Sequence, residues 1–311
     1  MIRHLVEFFK LPESVRIPGI WGPAYRLAVK LDNKSIQREK LPAHPLNTEK
    51  RGQTLTVSLT SFPARIGTVH LAIKSLMKQS YKPDRIVLWL AEDQFPRGEG
   101  ELPDTLLALK EKGLEIRFCE NLYGHKKYFA ALQEQKENEL VATFDDDIIY
   151  PPNALKKLIR CHKKFPDAII CNRAQALDYE KDGSVKDVGR WKTITSVGVR
   201  KRAFCLCPST GGGCLYPYGA LNAEAFDTEK IKTLALRADD QWILFMSVYA
   251  GTPIVKSVKY HKTFSVVQST QGESLAAINI LGAGYKQVMA DLESAYPQVW
   301  RKILGEEKKD A

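Results

Sequence analysis

Three aspartates in a row close an apolar run in VATFDDDIIYPP, residues 141–152. Adjacent carboxylates at the end of a buried strand repel one another unless positive charge offsets them. In an extended segment alternate side chains share a face, so Asp145 and Asp147 can converge while Asp146 points elsewhere. Two hard oxygen donors at that spacing suit Mg2+ or Mn2+, which keeps open positions for phosphate oxygens. An acidic turn, or a helix cap near Pro151, is the structural alternative.

A second acidic pair lies in Arg237-Ala238-Asp239-Asp240-Gln241-Trp242, ahead of an apolar helical run. Carboxylates in a first helical turn are favoured by the helix dipole, so capping explains them. A helix start also presents a carboxylate to a cleft, where it can act as a general base. Lys126 and Lys127, entering a helix after Gly124, are candidates to neutralise a diphosphate, or a solvated basic helix start. His261 is a candidate third metal ligand or a surface histidine. The glycine run Gly211 to Gly213 permits close backbone approach. With Tyr216 and Tyr218 beside it, Gly212 and Gly213 form either a substrate-shaping loop or a plain connector.

These residues need a scaffold, and the chain supplies an alternating one from Thr54 to Asp147. TLTVSLTS, RIVLWLA, LEIRFC and ELVATF read as strands; ARIGTVHLAIKSLMKQS, LPDTLLALKEKG and HKKYFAALQEQ between them have helical spacing. Such alternation predicts an α/β fold, a mainly parallel sheet flanked by helices. Open sheets of this kind bind ligands beyond the carboxyl ends of their strands, where the aspartate triplet falls. After a helix (PPNALKKLIRCHKKFP) and a strand (DAIICN), residues 174–208 read as hairpins and loops, with Asp182-Gly183 as a turn. PSTGGGCLYPYGAL reads as flexible, ADDQWILFMSVYAG as a helix, and TPIVKSV as a late strand. The expected organisation is an N-terminal extension over 1–52, the α/β domain over 53–270, and a C-terminal helical region over 271–311.

The bulk properties narrow the classes of function. The 311 residues are 44% hydrophobic and 26% charged, ordinary for a globular protein, with a formal net charge of +10. That charge suits anionic partners, but the basic clusters lack the interleaved aromatics of nucleic-acid binding, so no nucleic-acid partner is expected. The six cysteines contain no C-x-x-C pair, and Cys205, Cys207 and Cys214 match no usual zinc spacing. They read as reduced thiols of a cytoplasmic protein. No Walker sequence occurs, and no apolar run approaches the roughly 20 residues of a membrane span. MIRHLVEFFK places Ile2, Leu5, Val6 and Phe9 on one helical face, to lie in a membrane interface or dock on the protein itself.

Taken in order, SLTSFPARI, KPDRIVLWLAEDQFP, GHKKYFAAL, TFDDDIIYPP and ADDQW resemble the GT-A-fold glycosyltransferases. The likeness is to the family-2-like bacterial enzymes of capsule and lipopolysaccharide synthesis, over residues from about Thr54 to about His261. The resemblance implies that Thr60, Ser61, Arg65, Glu92 and Asp93 hold the nucleotide. It implies that Asp145 and Asp147 chelate Mn2+ or Mg2+ with the donor diphosphate, and that Asp146 faces the ribose. A late carboxylate, often in a Glu-Asp pair, deprotonates the acceptor in inverting members; here the pair is Asp239-Asp240, with Asp240 favoured as base and Asp239 as helper. GGGCLYPYGAL would line the acceptor side. The implied partners are a UDP- or GDP-linked sugar donor, a glycan or lipid-linked acceptor, and the inner face of the cytoplasmic membrane. Two rival readings are another metal-dependent phosphoryl or nucleotidyl transferase, and a non-catalytic basic adaptor for membrane or nucleic acid.

Overall fold

The computed structural model describes residues 21–182, 184–192, 196–258, 264–268 and 284–305. Helix α1 (Trp21–Arg38) precedes strand β1 (Thr54–Thr60), helix α2 (Val69–Met77), and strands β2 (Arg85–Ala91) and β3 (Leu114–Cys119). Helix α3 (Lys126–Gln133), strand β4 (Glu139–Phe144), the short β5 (Ile148–Ile149) and helix α4 (Ala154–His162) follow. Strands β6 (Ile169–Cys171), β7 (Ala174–Ala176), β8 (Leu206–Pro208) and β9 (Cys214–Tyr216) lead to helix α5 (Asp239–Tyr249) and strand β10 (Ile254–Lys256). Strand β11 (Ser265–Val266) and helices α6 (Gly284–Ala295) and α7 (Pro297–Leu304) complete the described chain.

Seven strands form the central sheet in the order β3, β2, β1, β4, β9, β6, β10. β1 runs parallel to both β2 and β4, β2 to β3, and β10 to β6; β9 alone is antiparallel to its neighbours β4 and β6. The expected α/β architecture, a mainly parallel sheet flanked by helices, is therefore present. Strand order reverses between β1 and β4, since the chain goes outward to β2 and β3 and returns on the other side of β1. A cleft opens beyond the carboxyl ends of strands at such a switch point.

Side-chain alternation sorts the two faces. Leu55, Val57 and Leu59 of β1, with Leu140, Ala142 and Phe144 of β4, share one buried cluster with Val69, Ile73 and Leu76 of α2 and Leu155 and Leu158 of α4. On the opposite face Ile169, Cys214 and Tyr216 pack with Tyr128 of α3, Trp242 and Phe245 of α5, and Leu292 and Val299 of α6 and α7. Odd-numbered β4 residues therefore face α3 and α5, which decides where Asp145 points.

Three local differences from the sequence expectation have physical causes. The helix expected over 102–113 is helical only over Asp104–Leu107; a 3-10 turn follows, and Gly113 closes it at a left-handed φ of 94°. Leu102, Leu106 and Leu109 are buried all the same, so the helix-like spacing is met by consecutive turns. Helix α2 starts at Val69 because Gly67 and Thr68 separate it from a single helical turn, Pro63–Ile66. CLY, read as part of a flexible loop, is the inserted antiparallel strand β9, too short for periodicity to reveal.

Helix α1 buttresses the far end of the site. Asn33 donates to the backbone oxygen of Val266 and accepts from the backbone N–H of Gln268, fixing the segment around β11. β11 pairs with β5, and Val267 donates its N–H to Asp147 O at 2.7 Å. Among the described residues no helix is long and apolar enough to cross a membrane. MIRHLVEFFK and the first part of the expected C-terminal helical region lie outside the described residues.

Candidate functional site

β4 carries Thr143 toward α3, and Asp145 continues that alternation to the same side. Its Oδ1 accepts from Lys127 Nζ at 2.8 Å. The chain then turns at Asp146 and Asp147, so strand alternation ceases to apply. Asp146 is buried toward β1, accepting from Ser61 Oγ at 2.6 Å and from Arg65 Nη1 at 2.9 Å. Asp147 shares the same guanidinium, 3.1 Å from Nη1. The triplet is thus divided between two cations, Lys127 for Asp145 and Arg65 for its neighbours. Burial, followed by the charge of Asp145, pushes the Asp147 carboxyl up to about 6.

Lys127 reaches further. Its Nζ also lies 2.9 Å from Asp239 Oδ2, so one buried ammonium joins the strand-end triplet to the start of α5. Burial works against its charge, but Asp145, Asp239 and Asp240 together hold its pKa well above the usual lysine range. Asp239 and Asp240 split in opposite directions. Burial opposes the charge of Asp239, yet Lys127 outweighs it and holds the carboxyl at about 2. Burial and the neighbouring Asp239 charge push Asp240 up to about 7. His125, also buried, packs behind this group with Nε2 2.8 Å from Ala235 O, and burial lowers its pKa. The carbonyl accepts, so Nε2 carries the proton.

Three residues that the sequence reading passed over, Thr210, Tyr150 and Thr143, help to build this geometry. Thr210 donates its backbone N–H to Asp240 Oδ1 at 2.8 Å, while its hydroxyl lies 2.7 Å from Asp239 Oδ2. Tyr150, fully buried against Phe144, accepts from the Asp145 N–H at 2.8 Å and donates to Gly211 O at 2.5 Å. It ties the triplet to the glycine run, as Thr143 does by donating to Thr210 O at 2.9 Å. Gly211 and Gly124 leave room for carboxylates: a Cβ on Gly211 would fall 1.6 Å from Asp145 Oδ2, and one on Gly124 would fall 2.8 Å from Asp239 Oδ1. Only the Gly-Gly-Gly sequence and the lone Gly124 hinted at such close approach; the tyrosine and threonine left no local signal.

The other sequence candidates distribute around this centre. Thr60 ends β1 and donates its hydroxyl to Trp89 O at 2.8 Å. Glu92 and Asp93 follow β2 in a 3-10 turn, and Asp93 accepts from Asn121 at 3.2 Å. Lys126 is buried, donates to Asn121 Oδ1 at 3.2 Å, and has its pKa lowered by that burial. Thr60, Ser61, Glu92, Asp93 and Lys126 therefore rim the carboxyl edge of β1, β2 and β3 beside the triplet. Gly212 and Gly213 are buried under β4, where Gly213 O accepts from Asn172 N–H at 2.9 Å. Tyr216, read as an acceptor-side residue, is a wholly buried residue of β9 in register with Val141, so its ring packs in the core. Tyr218, two residues on, is 56% exposed. His261 lies outside the described residues. The six cysteines are free thiols.

No family model matches the chain, and no curated protein matches it in sequence. Two similar solved structures set the scale of likeness. One is 4-diphosphocytidyl-2C-methyl-D-erythritol synthase from Anaerococcus prevotii, at 13% identity and a TM-score of 0.45, covering 75% of this chain and 97% of that chain. The other is a mannosyltransferase from Pyrobaculum calidifontis in complex with GDP-Man and Mn2+, at 13% identity and a TM-score of 0.45, covering 93% of this chain and 75% of that chain. Likenesses of this degree assign no activity to this chain, which rests on its own residues.

Those residues pass a test of fit for a divalent cation. Two bonded cations, Arg65 and Lys127, serve four carboxylates, Asp145, Asp146, Asp147 and Asp239. Carboxylate oxygen is the donor that Mn2+ and Mg2+ prefer. The Asp145 side chain remains 39% exposed to the cleft, whereas Asp146 is closed off. Among the described residues no three His, Cys, Asp or Glu side chains converge as a complete metal cage. A site of one or two carboxylates, completed by water and substrate phosphates, is the usual arrangement for such cations.

Proposed function

We propose that the chain is a metal-dependent glycosyltransferase that moves a sugar from a UDP- or GDP-linked donor to a hydroxyl of a glycan or lipid-linked acceptor. The observation that carries this reading is the Lys127 bridge. It holds Asp145 of a strand-end triplet and Asp239 of a helix start 2.8 and 2.9 Å from a single ammonium, beyond the carboxyl end of β4 where the strand order reverses. A donor diphosphate needs positive charge and oxygen-bound metal; an acceptor hydroxyl needs a base nearby but on separate atoms. Here the two functions sit on adjacent elements.

Asp145 and Asp147 would hold Mn2+ or Mg2+, which supplies charge to the departing nucleoside diphosphate. Arg65 keeps Asp146 and Asp147 oriented, and Ser61 fixes Asp146 from the end of β1. Lys126 adds positive charge at the rim. Asp240 is the base, since its carboxyl is held near neutrality while Asp239 stays ionised beside Lys127. Tyr218 presents an exposed ring on the acceptor side. The net charge of +10 suits anionic glycans or lipid-linked acceptors at the inner face of the cytoplasmic membrane, in surface-polysaccharide synthesis.

Titration of the purified chain with UDP- and GDP-sugars, with and without Mn2+, followed by mass spectrometry of products on candidate glycans, tests the proposal. Metal-dependent nucleotide binding that is lost in Asp147→Ala, with sugar transfer, is the expected result. Pyrophosphate release with transfer of a nucleotidyl group would make it a nucleotidyl transferase. Nucleic-acid binding with no affinity for nucleotide sugars would leave only a basic adaptor.

A further inference from the structure

Thr210 sits at the point where the two acidic side chains of α5 meet, and it is 1% exposed. Its Oγ1 is 2.7 Å from Asp239 Oδ2 and 2.6 Å from Asp240 Oδ1. A threonine hydroxyl has one proton and two lone pairs, so it gives a well-aligned hydrogen bond to only one of these carboxylates. Two oxygens at 2.6 Å with no proton between them repel; the second contact needs a proton from the carboxyl side. Lys127 decides which side that is. Its ammonium, which can only donate, is bonded to Asp239 and Asp145, so Asp239 is the ionised member.

We infer that Thr210 holds a single proton between the two aspartates, its hydroxyl donating to Asp239 and accepting from Asp240. The inference rests on the transferase reading for its role and on geometry alone for its existence. In transfer, the acceptor oxygen bonds to the anomeric carbon as the bond to the diphosphate breaks, its electron pair leaving with the diphosphate. With Asp240 ionised, its shared proton having been lost to solvent, the acceptor proton passes to Asp240 and restores the hydrogen bond to the Thr210 oxygen. Through its hydroxyl oxygen Thr210 thereby stabilises the protonated form of Asp240, whereas its backbone N–H, 2.8 Å from the same Asp240 Oδ1, favours the ionised form. It is a positioning residue, since it acts through Asp240.

Among the described residues, the titratable groups around the pair are few. Lys127 and His125 face it from α3 and the turn before it, Tyr128 from α3, Cys207 from β8, and Cys214 and Tyr216 from β9. Burial pushes the thiols and phenols up and the imidazole down, which leaves Lys127 as the charged neighbour near neutral pH. The upward displacement of Asp240 alone within the pair agrees with the proton assignment.

Carboxyl-carbon NMR titration of the full chain without substrate tests this, with Asp240→Asn assigning the signal. In the wild type one carboxyl of the pair should titrate near neutrality and its neighbour only in acid. Thr210→Val, which keeps the shape and the backbone N–H, should move the upper titration down by about half a unit or more, and Thr210→Ser should leave it in place. The acid limb of kcat/KM should follow the same order. An upward or absent shift in Thr210→Val, or equal shifts in Thr210→Val and Thr210→Ser, would overturn the inference. Should Thr210→Val not fold, the wild type still decides: no Asp240 titration above about pH 5 sinks it. Because this readout needs no donor, failure to bind nucleotide sugars strikes the transferase reading alone. Normal transfer with an unmoved titration strikes the Thr210 assignment alone.

Discussion

Gly211 lays its bare Cα against the carboxylate of Asp145, where a methyl group would fall 1.6 Å from Oδ2. The contact is with a residue held by Lys127 through its side chain and by Tyr150 through its backbone, so little can give way. Gly211→Ala should therefore displace Asp145 and weaken metal-dependent nucleotide binding at least tenfold, about 1.4 kcal/mol. Gly52→Ala, at a position with no atom within 4 Å of the new Cβ, is the matched control and should bind as the wild type does. Calorimetric titration of both variants checks the pair.

Lys127 is a buried cation with two carboxylate partners. Removing one side of a buried ion pair leaves the other uncompensated, at a cost of about 3–5 kcal/mol. Lys127→Met should lose stability on that scale in urea unfolding. Asp239→Asn added to it should restore part of the loss, because one stranded charge is gone. A simple sum of the two single effects would show that the bridge does not couple them.

Asp240 carries a stability consequence opposite to the usual carboxylate. Its folded pKa is raised, to about 7 from an unfolded value near 3.8, so the folded state binds more protons across that interval. Stability from this group is full below about pH 4, falls as pH rises to about 7, and is level above. Asp239, held at about 2, contributes the reverse: stability present above about pH 4 and lost on further acidification. Asp240→Asn should unfold at higher temperature than the wild type at pH 8, with the difference shrinking toward pH 5. The size is on the order of a few kcal/mol. The same substitution should abolish the base and with it most of the transfer rate.

Tyr150→Phe removes one hydroxyl that serves the Asp145 N–H and the Gly211 carbonyl at once. Both partners are then left without that bond in a buried setting, worth about 1–3 kcal/mol. Thermal unfolding should show the loss. Metal-dependent nucleotide affinity should fall as well, since the variant frees the triplet from the glycine run.

The parts of this fold that the sequence made legible are those with a period. Strands β1 to β4 and the helices between them show as apolar runs and helical spacing, and the triplet stands out because charge follows directly on β4. Asp146 was expected to part from both neighbours; it parts from Asp145 alone, turning to Ser61 and to the Arg65 that Asp147 shares. Asp147 accompanies it because the chain bends after Asp145, a tertiary outcome that alternation does not encode. β9 has three residues and leaves no periodic trace. The partners of Lys127, the position of Thr210 between two carboxylates and the closeness of Gly124 to Asp239 all join residues far apart in the chain. No local pattern specifies such contacts.

The antiparallel β9 also sets an order of assembly. It is the hydrogen-bonded link between β4 and the pair of β6 and β10, which have no other connection to the first four strands in the sheet. A nascent chain that has emerged only as far as β6 can pair β1 with β2 and β4, but β4 keeps an open edge until residues 214–216 arrive to cover it. Closing so long a loop is slow, and an unpaired apolar edge is a template for association with other chains. The same three residues complete the wall on which α5 settles, so the acidic centre is among the last features of the molecule to form.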